Sequence, residues 1–115
     1  FNISHSGDMV VCAVDDKPIG IDIEQIRPID LTVAKRFCTD EELLYLFGDT
    51  PKEQEFTYTT DTKMLTRFFE LWTMKEAYGK CSGIGFLQPH NIQNTNNLLL
   101  FFDLYIVSVY NETVK

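Results

Sequence analysis

Two short runs of apolar residues near the start of the chain have the pattern of β-strands. Met9 to Val14 is apolar throughout, which is typical of a buried strand, and a turn-forming Asp-Asp-Lys-Pro segment follows it. The second run, Ile19 to Ile26, alternates isoleucines with small or acidic residues. Because alternate residues of a strand face the same side, Gly20, Asp22 and Glu24 are predicted to share one face. We therefore predict two strands paired as a β-hairpin.

The next segment has the residue spacing and capping residues of two short helices. Leu31 to Cys38 places its apolar residues on one stripe, and Asp30 precedes it as a predicted N-cap. Thr39 to Phe47 opens with a Thr-Asp-Glu-Glu sequence that fits a capping box, and Gly48 follows as a stop signal. We predict one helix in each range.

The remainder of the chain predicts a long helix followed by two strands. Asp49 to Asp61 is polar and rich in helix-breaking residues, which favours a loop. Phe68 to Lys80 carries aromatic and apolar residues at helical intervals, and a glycine-containing segment ends it. Leu98 to Phe102 and Leu104 to Val109 are predicted strands. The fold class is therefore predicted as α+β, with the long helix packed across an antiparallel sheet.

Composition limits the classes of protein to consider. A chain of 115 residues has room for one domain and one modest core. Its net charge of −7 argues against a nucleic-acid-binding face, and no apolar run approaches the ~18 residues that span a bilayer. Three widely separated cysteines match neither a disulfide framework nor a zinc site. We expect a protein of the reduced cytoplasm that binds neither nucleic acid nor membrane.

Asp22 and Glu24 are the first candidates for chemistry. Residues two apart on a strand have Cα atoms ~6.5–7 Å apart and face the same side. Paired carboxylates of this kind suit Mg²⁺, which uses one or two protein carboxylates and fills its remaining positions with phosphate oxygens and water. The same pattern also fits the solvated face of a half-buried strand.

The long helix supplies further candidates. Trp72, Glu76 and Lys80 follow one another at intervals of four residues, so they line one side, and Lys75 lies about 100° from Glu76 around the axis. Glu76 and Lys80 in this order also form an ordinary helix-stabilising ion pair. A tryptophan one turn earlier more often anchors a core than lines a site.

A Ser-His-Ser-Gly sequence at the start of the chain is the third candidate. Ser4 and His5 could present a hydroxyl and an imidazole to a phosphate, together with free backbone N–H groups. A lone histidine in such a segment is more often structural or merely exposed. The Gly-x-Ser-x-Gly turn of serine hydrolases is absent from the sequence.

Taken together and in this order, three segments resemble the signatures of Sfp-type 4′-phosphopantetheinyl transferases. They are Phe1 to Gly7 (Phe-Asn-Ile-Ser-His-Ser-Gly), Gly20 to Glu24 (Gly-Ile-Asp-Ile-Glu), and Phe69 to Lys80, which contains Trp-x-x-Lys-Glu-Ala-x-x-Lys. The resemblance implies transfer of phosphopantetheine from coenzyme A to a serine of an acyl or peptidyl carrier protein. It also implies a fold built from two similar halves, of which this chain matches the second.

The resemblance also implies roles for individual residues. Mg²⁺ would be held by Asp22, Glu24 and Glu76, and coenzyme A by Ser4, His5, Lys75 and Lys80. Glu76 or a metal-held water would accept the proton of the carrier serine, and Lys80 could protonate the departing 3′,5′-ADP. An ion that clamps the transferring phosphate is consistent with general catalytic chemistry, and it explains how an acidic chain binds a polyanion.

Two alternatives stay open at this point. One is the trimeric holo-acyl-carrier-protein synthase type of the same chemistry, and the other is a non-catalytic carrier-binding domain that keeps the fold. Because the chain matches one half, we expect it to be a fragment of a longer protein and to bind coenzyme A weakly alone. We also expect an apolar seam near Ile19 to Ile23 and Trp72 that permits self-association.

Overall fold

The computed structural model describes residues 1–83 and 97–111, which form seven β-strands, three α-helices and two short 3-10 turns. The strands are β1 (Asn2–Ser6), β2 (Met9–Ala13), β3 (Ile19–Gln25), β4 (Ile29–Asp30), β5 (Tyr58–Thr59), β6 (Asn97–Phe102) and β7 (Tyr105–Asn111). The helices are α1 (Ala34–Phe37), α2 (Asp40–Phe47) and α3 (Thr62–Ser82), and the 3-10 turns are Leu31–Val33 and Glu53–Glu55.

The strands form three antiparallel sheets, and the helix α3 packs across the largest of them. That sheet has the strand order β3-β7-β6, while β1 pairs with β2 and β4 pairs with β5. The predicted α+β class, with a long helix across an antiparallel sheet, is confirmed. No helix within residues 1–83 and 97–111 is long and apolar enough to cross a membrane.

The predicted hairpin between β2 and β3 is wrong, because each strand pairs with a different partner. β2 turns back onto β1 through a two-residue turn in which Gly7 has a φ of +55°. A glycine tolerates this left-handed backbone without steric strain. β3 instead pairs along its whole length with β7, from Ile19 opposite Asn111 to Gln25 opposite Tyr105.

Side chains of β1 satisfy the free edge of β3. Every second residue of β1 accepts a hydrogen bond from a β3 backbone N–H group, so the edge is covered without a paired strand. The three bonds run from the N–H groups of Ile21 to Asn2 Oδ1 (2.9 Å), of Ile23 to Ser4 Oγ (3.3 Å) and of Gln25 to Ser6 Oγ (3.1 Å).

Local capping signals place the helix boundaries. The predicted helix 31–38 is divided into a 3-10 turn and α1, and Asp30 caps it as predicted by accepting the Thr32 N–H at 3.0 Å. The capping box of α2 and its C-terminal Gly48, with φ +81°, are also confirmed. The helix α3 begins at Thr62 rather than Phe68, because Asp61 provides an N-cap that the prediction missed.

Other elements cover both faces of the sheet at β3 and β7. Aromatic and aliphatic residues of the helices pack on one side against Ile106 of β7. On the other side, Ile21 and Ile23 are only 5% and 1% exposed, because apolar residues of β2 lie over them. The predicted bare seam at Ile19 to Ile23 is therefore wrong. Trp72 is half-buried between aromatic rings, and self-association itself stays a prediction.

Candidate active site

A close contact between β3 and α3 brings the candidate residues together. A Cβ atom on Gly20 would lie 1.8 Å from the carbonyl oxygen of Ala77 and 2.8 Å from the backbone nitrogen of Cys81. Only glycine permits the strand and the helix to approach this closely. The next two residues on the same face of β3, Asp22 and Glu24, consequently lie beneath the side of α3 that carries Trp72, Glu76 and Lys80.

Asp22 is buried beneath the helix and is only partly satisfied. The Ser4 hydroxyl donates to its Oδ1 at 3.1 Å, and Lys80 Nζ lies 3.4 Å from the same oxygen. Lys80 also donates to the backbone carbonyl of Ile21 at 2.9 Å. The second oxygen, Oδ2, is buried and has no hydrogen-bond partner among the described residues. A buried carboxylate oxygen without a partner is costly and calls for a functional explanation.

Burial is the largest cause of the unusual proton affinity of Asp22. Loss of hydration raises the pKa of Asp22 to about 7, against the attraction of Lys80 and the hydrogen bond from Ser4. The negative charges of Glu24 and Glu76 contribute to the same rise in pKa. A carboxyl group in this setting needs more positive charge than one lysine supplies.

Glu24 lies at the edge of the site and is held at both oxygens. The indole N–H of Trp72 donates to Oε2 at 3.1 Å, and Arg27 Nη1 donates to Oε1 at 3.2 Å. Sequence reasoning assigned Trp72 to the core and did not consider Arg27. The signal for Trp72 was its position one turn before Glu76 on the same side of α3, which allows its N–H group to reach β3.

Glu76 shares the electrostatic environment of the two strand acids. Burial raises the pKa of Glu76 above its usual value, Lys80 lowers it, and the charge of Glu24 raises it. Within residues 1–83 and 97–111, however, no group of three His, Cys, Asp or Glu side chains is arranged to hold a metal ion as it stands. Asp22 contacts Lys80, and Glu24 contacts Trp72 and Arg27, so metal binding requires these side chains to reorient.

The donor set nevertheless fits a hard divalent cation. Carboxylate oxygens are the ligands that Mg²⁺ prefers, and Asp22 Oδ2, which accepts no hydrogen bond within residues 1–83 and 97–111, is an available one. Both Asp22 and Glu76 have raised pKa values because of burial and a neighbouring negative charge. A bound cation removes both penalties, since it supplies the missing positive charge to the carboxylates.

Two residues implied by the family resemblance lie elsewhere. Lys75 is buried in an ion pair with Glu42 of α2, with Nζ 2.9 Å from Oε1. The implied contact between Lys75 and coenzyme A therefore has no support in this arrangement, because the helix turns Lys75 toward α2. His5 is exposed, and the alternation of β1 directs it to the face opposite Ser4. Coenzyme A contacts of Ser4 and His5 stay predictions.

An apolar groove opens next to Glu24 and has a volume of about 300 Å³. Arg27 and Trp72, which both contact Glu24, form part of its wall. A molecule bound in the groove would therefore lie directly beside the acidic residues. The other lining residues are Ile29, Asp30, Val33, Phe68 and Phe69.

Ser4→Ala tests how the site holds Asp22. We expect the free energy of unfolding to fall by about 1–3 kcal/mol, because the buried Ile23 N–H and the Asp22 carboxylate each lose a partner. The pKa of Asp22 should rise further, since the Ser4 hydrogen bond lowers it. Urea unfolding between pH 5 and 9 measures both effects. Ser6→Ala, which removes only the part-buried bond to Gln25, should have the smaller effect, and equal losses would contradict the assignment.

Comparison with known proteins gives one consistent family. A family model for the 4′-phosphopantetheinyl transferase superfamily matches residues 18–110. The 4′-phosphopantetheinyl transferase psf-1 of Bacillus pumilus is 51% identical over 85 residues, which are 74% of this chain and 32% of that protein. Sfp of Bacillus subtilis strain 168 is 46% identical over 89 residues (77% and 35%), and HetI of Nostoc sp. is 40% identical over 96 residues (81% and 36%). The chain spans about a third of the length of these relatives.

Proposed function

Because this chain belongs to the 4′-phosphopantetheinyl transferase superfamily, we propose that its protein transfers phosphopantetheine from coenzyme A to a serine of an acyl or peptidyl carrier protein. Mg²⁺ is the proposed metal. The observation that carries this proposal is the buried Asp22 Oδ2, which has no hydrogen-bond partner in the described part of the chain and lies in an acidic pocket that also contains Lys80. Such a pocket combines negative ligands for a metal with a positive group for a phosphate.

The proposed metal ligands are Asp22, Glu24 and Glu76. A metal bound to them would neutralise the coenzyme A pyrophosphate and favour departure of its leaving group. Asp22 is held in place by Ser4, and Glu24 by Trp72 and Arg27. These contacts keep both carboxylates at the contact between β3 and α3, and metal binding would replace part of them as the side chains reorient.

Glu76 and Lys80 are the proposed proton-transfer groups. The Glu76 carboxylate lies near Lys80 and Glu24, where it is suited to accept the proton of a serine hydroxyl. The Lys80 ammonium lies within the same pocket and is suited to donate a proton to the departing 3′,5′-ADP phosphate, whose bond to phosphopantetheine breaks as the serine oxygen attacks.

Glu76→Gln in the full-length protein tests this proposal. Transfer to a purified carrier protein is followed by mass spectrometry with coenzyme A and either Mg²⁺ or EDTA. We expect the Mg²⁺-dependent rate to fall by roughly 10²–10⁴-fold, because the amide neither accepts the serine proton nor carries a negative charge. The matched control is Glu70→Gln, on the same helix, whose exposed carboxylate accepts a hydrogen bond from Tyr45.

Three results would contradict the proposal. They are transfer that is unaffected by EDTA, a Glu76→Gln variant as active as the parent, or an equal loss in Glu70→Gln. A parent protein that binds carrier protein but never modifies it would favour the non-catalytic alternative.

A further inference from the structure

A buried ion pair joins the middle of α3 to the first turn of α2. The side chains of Lys75 and Glu42 are 1% and 0% exposed, and Nζ lies 2.9 Å from Oε1. The same glutamate oxygen accepts the backbone N–H of Thr39 at 2.9 Å and so completes the capping box of α2. The side chain of Glu42 is thus held against the N-terminus of its own helix, α2, while it also contacts Lys75 of α3.

Stability alone does not account for this pair. Two buried charges attract each other strongly, but both have lost their hydration, and apolar residues of similar volume often stabilise a fold equally well. An ion pair also restricts how the two helices are oriented, because its N–H···O contact is satisfied in a narrow range of helix orientations. Apolar contacts between helices tolerate sliding and repacking more readily.

The pair is placed where direction matters for the candidate site. Lys75 immediately precedes Glu76, and successive residues of a helix are about 100° apart around its axis. Holding Lys75 toward α2 therefore determines the direction in which Glu76 points. Trp72 and Lys80, one turn before and one turn after Glu76, contact Glu24 and Asp22 of β3. A rotation of α3 would disturb both contacts at once.

We propose that the Lys75–Glu42 ion pair is a positioning device that holds α3 in the rotation at which Trp72, Glu76 and Lys80 face β3. Both members are positioning residues and touch no substrate. The importance of Glu76 rests on the proposed function, whereas the orientation of α3 rests only on the contacts described above. The two ideas can therefore fail separately.

Trp72 provides a direct measurement of the helix orientation. It is the only tryptophan in this chain, and its N–H group donates to Glu24 across the contact between α3 and β3. Its emission and its quenching by acrylamide report on that contact without metal, coenzyme A or carrier protein. A transfer assay that fails in the full-length protein would leave this measurement interpretable.

The decisive variant is Glu42→Gln/Lys75→Met, which removes both charges and nearly conserves volume. We expect a thermal midpoint equal to or above that of the parent, since no charge remains buried at this position. The Trp72 emission should nevertheless shift to longer wavelength, and its quenching constant should rise by about twofold as the N–H leaves its half-buried partner.

Two further variants separate orientation from stability. Glu42→Gln alone keeps an oxygen acceptor for Lys75, so we expect a lower thermal midpoint but parent-like Trp72 emission. Tyr45→Phe is the matched control, because it removes the exposed 2.8 Å hydrogen bond from Tyr45 to Glu70, which also joins α2 to α3. It should leave Trp72 unchanged.

The proposal is overturned by a double variant that folds and keeps parent-like emission and quenching. It is also overturned if the Trp72 signal follows the thermal midpoint in every variant, as a purely structural role requires. Should the double variant not fold, Glu42→Gln decides alone. A parent-like signal at reduced stability supports positioning, and a signal lost together with stability refutes it.

Discussion

Asp22→Asn is expected to abolish Mg²⁺-dependent transfer and, at the same time, to stabilise the metal-free protein above neutral pH. The loss of activity follows from the proposed ligand role, because an amide is a far weaker Mg²⁺ ligand than a carboxylate. We expect a fall of roughly 10³-fold or more, comparable to the removal of a principal electrostatic group from an active site. The carbonyl oxygen of the new amide would still accept the Ser4 hydrogen bond, so the fold should be retained.

The gain in stability follows from the pKa of Asp22. Burial raises this pKa from 3.8 to about 7. Between these two values the folded protein retains a proton that the unfolded chain has lost, so the free energy of unfolding decreases as the pH rises. Above pH 7 the parent carries the full penalty of a buried charge. Asparagine has no charge to bury, and we expect it to recover about 2–4 kcal/mol at pH 9.

Urea unfolding of parent and variant between pH 4 and 9, with EDTA present, measures this effect. The two curves should converge near pH 4, separate progressively up to about pH 7 and remain apart above it. Asp16→Asn is the matched control, because it removes the charge of an exposed aspartate. Parallel curves for the parent and Asp22→Asn, or a variant that is less stable at pH 9, would contradict the burial of a destabilising carboxylate.

The helix boundaries that were predicted correctly are determined by residues close to them in the sequence. The capping box at Thr39 and the stop at Gly48 each act within one helical turn, so a short window of sequence contains all of the information. The strand that pairs with β3, in contrast, cannot be predicted from the residues next to β3 in the sequence. Its pairing with β7 depends on residues near the opposite end of the chain, and no local pattern distinguishes β7 from the nearer β2.

The candidate site was predictable to a similar extent. Strand alternation correctly placed Asp22 and Glu24 on one face, since the period of a strand is fixed by its backbone geometry. Helical spacing predicted that Lys75 and Glu76 lie about 100° apart around the helix axis, but it did not predict which residues each side chain contacts. Lys75 meets Glu42 because α2 lies on that side of α3, which is a property of the assembled core. The family resemblance did not supply this distinction.

Gly20→Ala is expected to lower the free energy of unfolding strongly, because it adds a methyl group where β3 and α3 are in closest contact. The new Cβ would lie 1.8 Å from the Ala77 carbonyl oxygen and 2.8 Å from the Cys81 backbone nitrogen, and these two helix backbone atoms cannot rotate away. β3 and α3 would have to separate, at an expected cost of about 3 kcal/mol or more.

The same displacement should disable the candidate site. Lys80 contacts Asp22 and the Ile21 carbonyl across the contact that Gly20 permits, so a shifted helix would withdraw its charge from the buried carboxylate. Because the charge of Lys80 lowers the pKa of Asp22, its withdrawal should raise that pKa further. Transfer by the full-length variant should be lost even at temperatures where it remains folded.

Gly48→Ala is the matched control for the loss of a glycine. Gly48 has a φ of +81°, and no atom of the described residues lies within 4 Å of an added Cβ, so alanine there should cost only about 1 kcal/mol of backbone strain. Urea unfolding and the transfer assay on both variants provide the comparison. If Gly20→Ala is no more destabilising than Gly48→Ala and keeps its activity, the close approach of β3 and α3 is not what assembles the site.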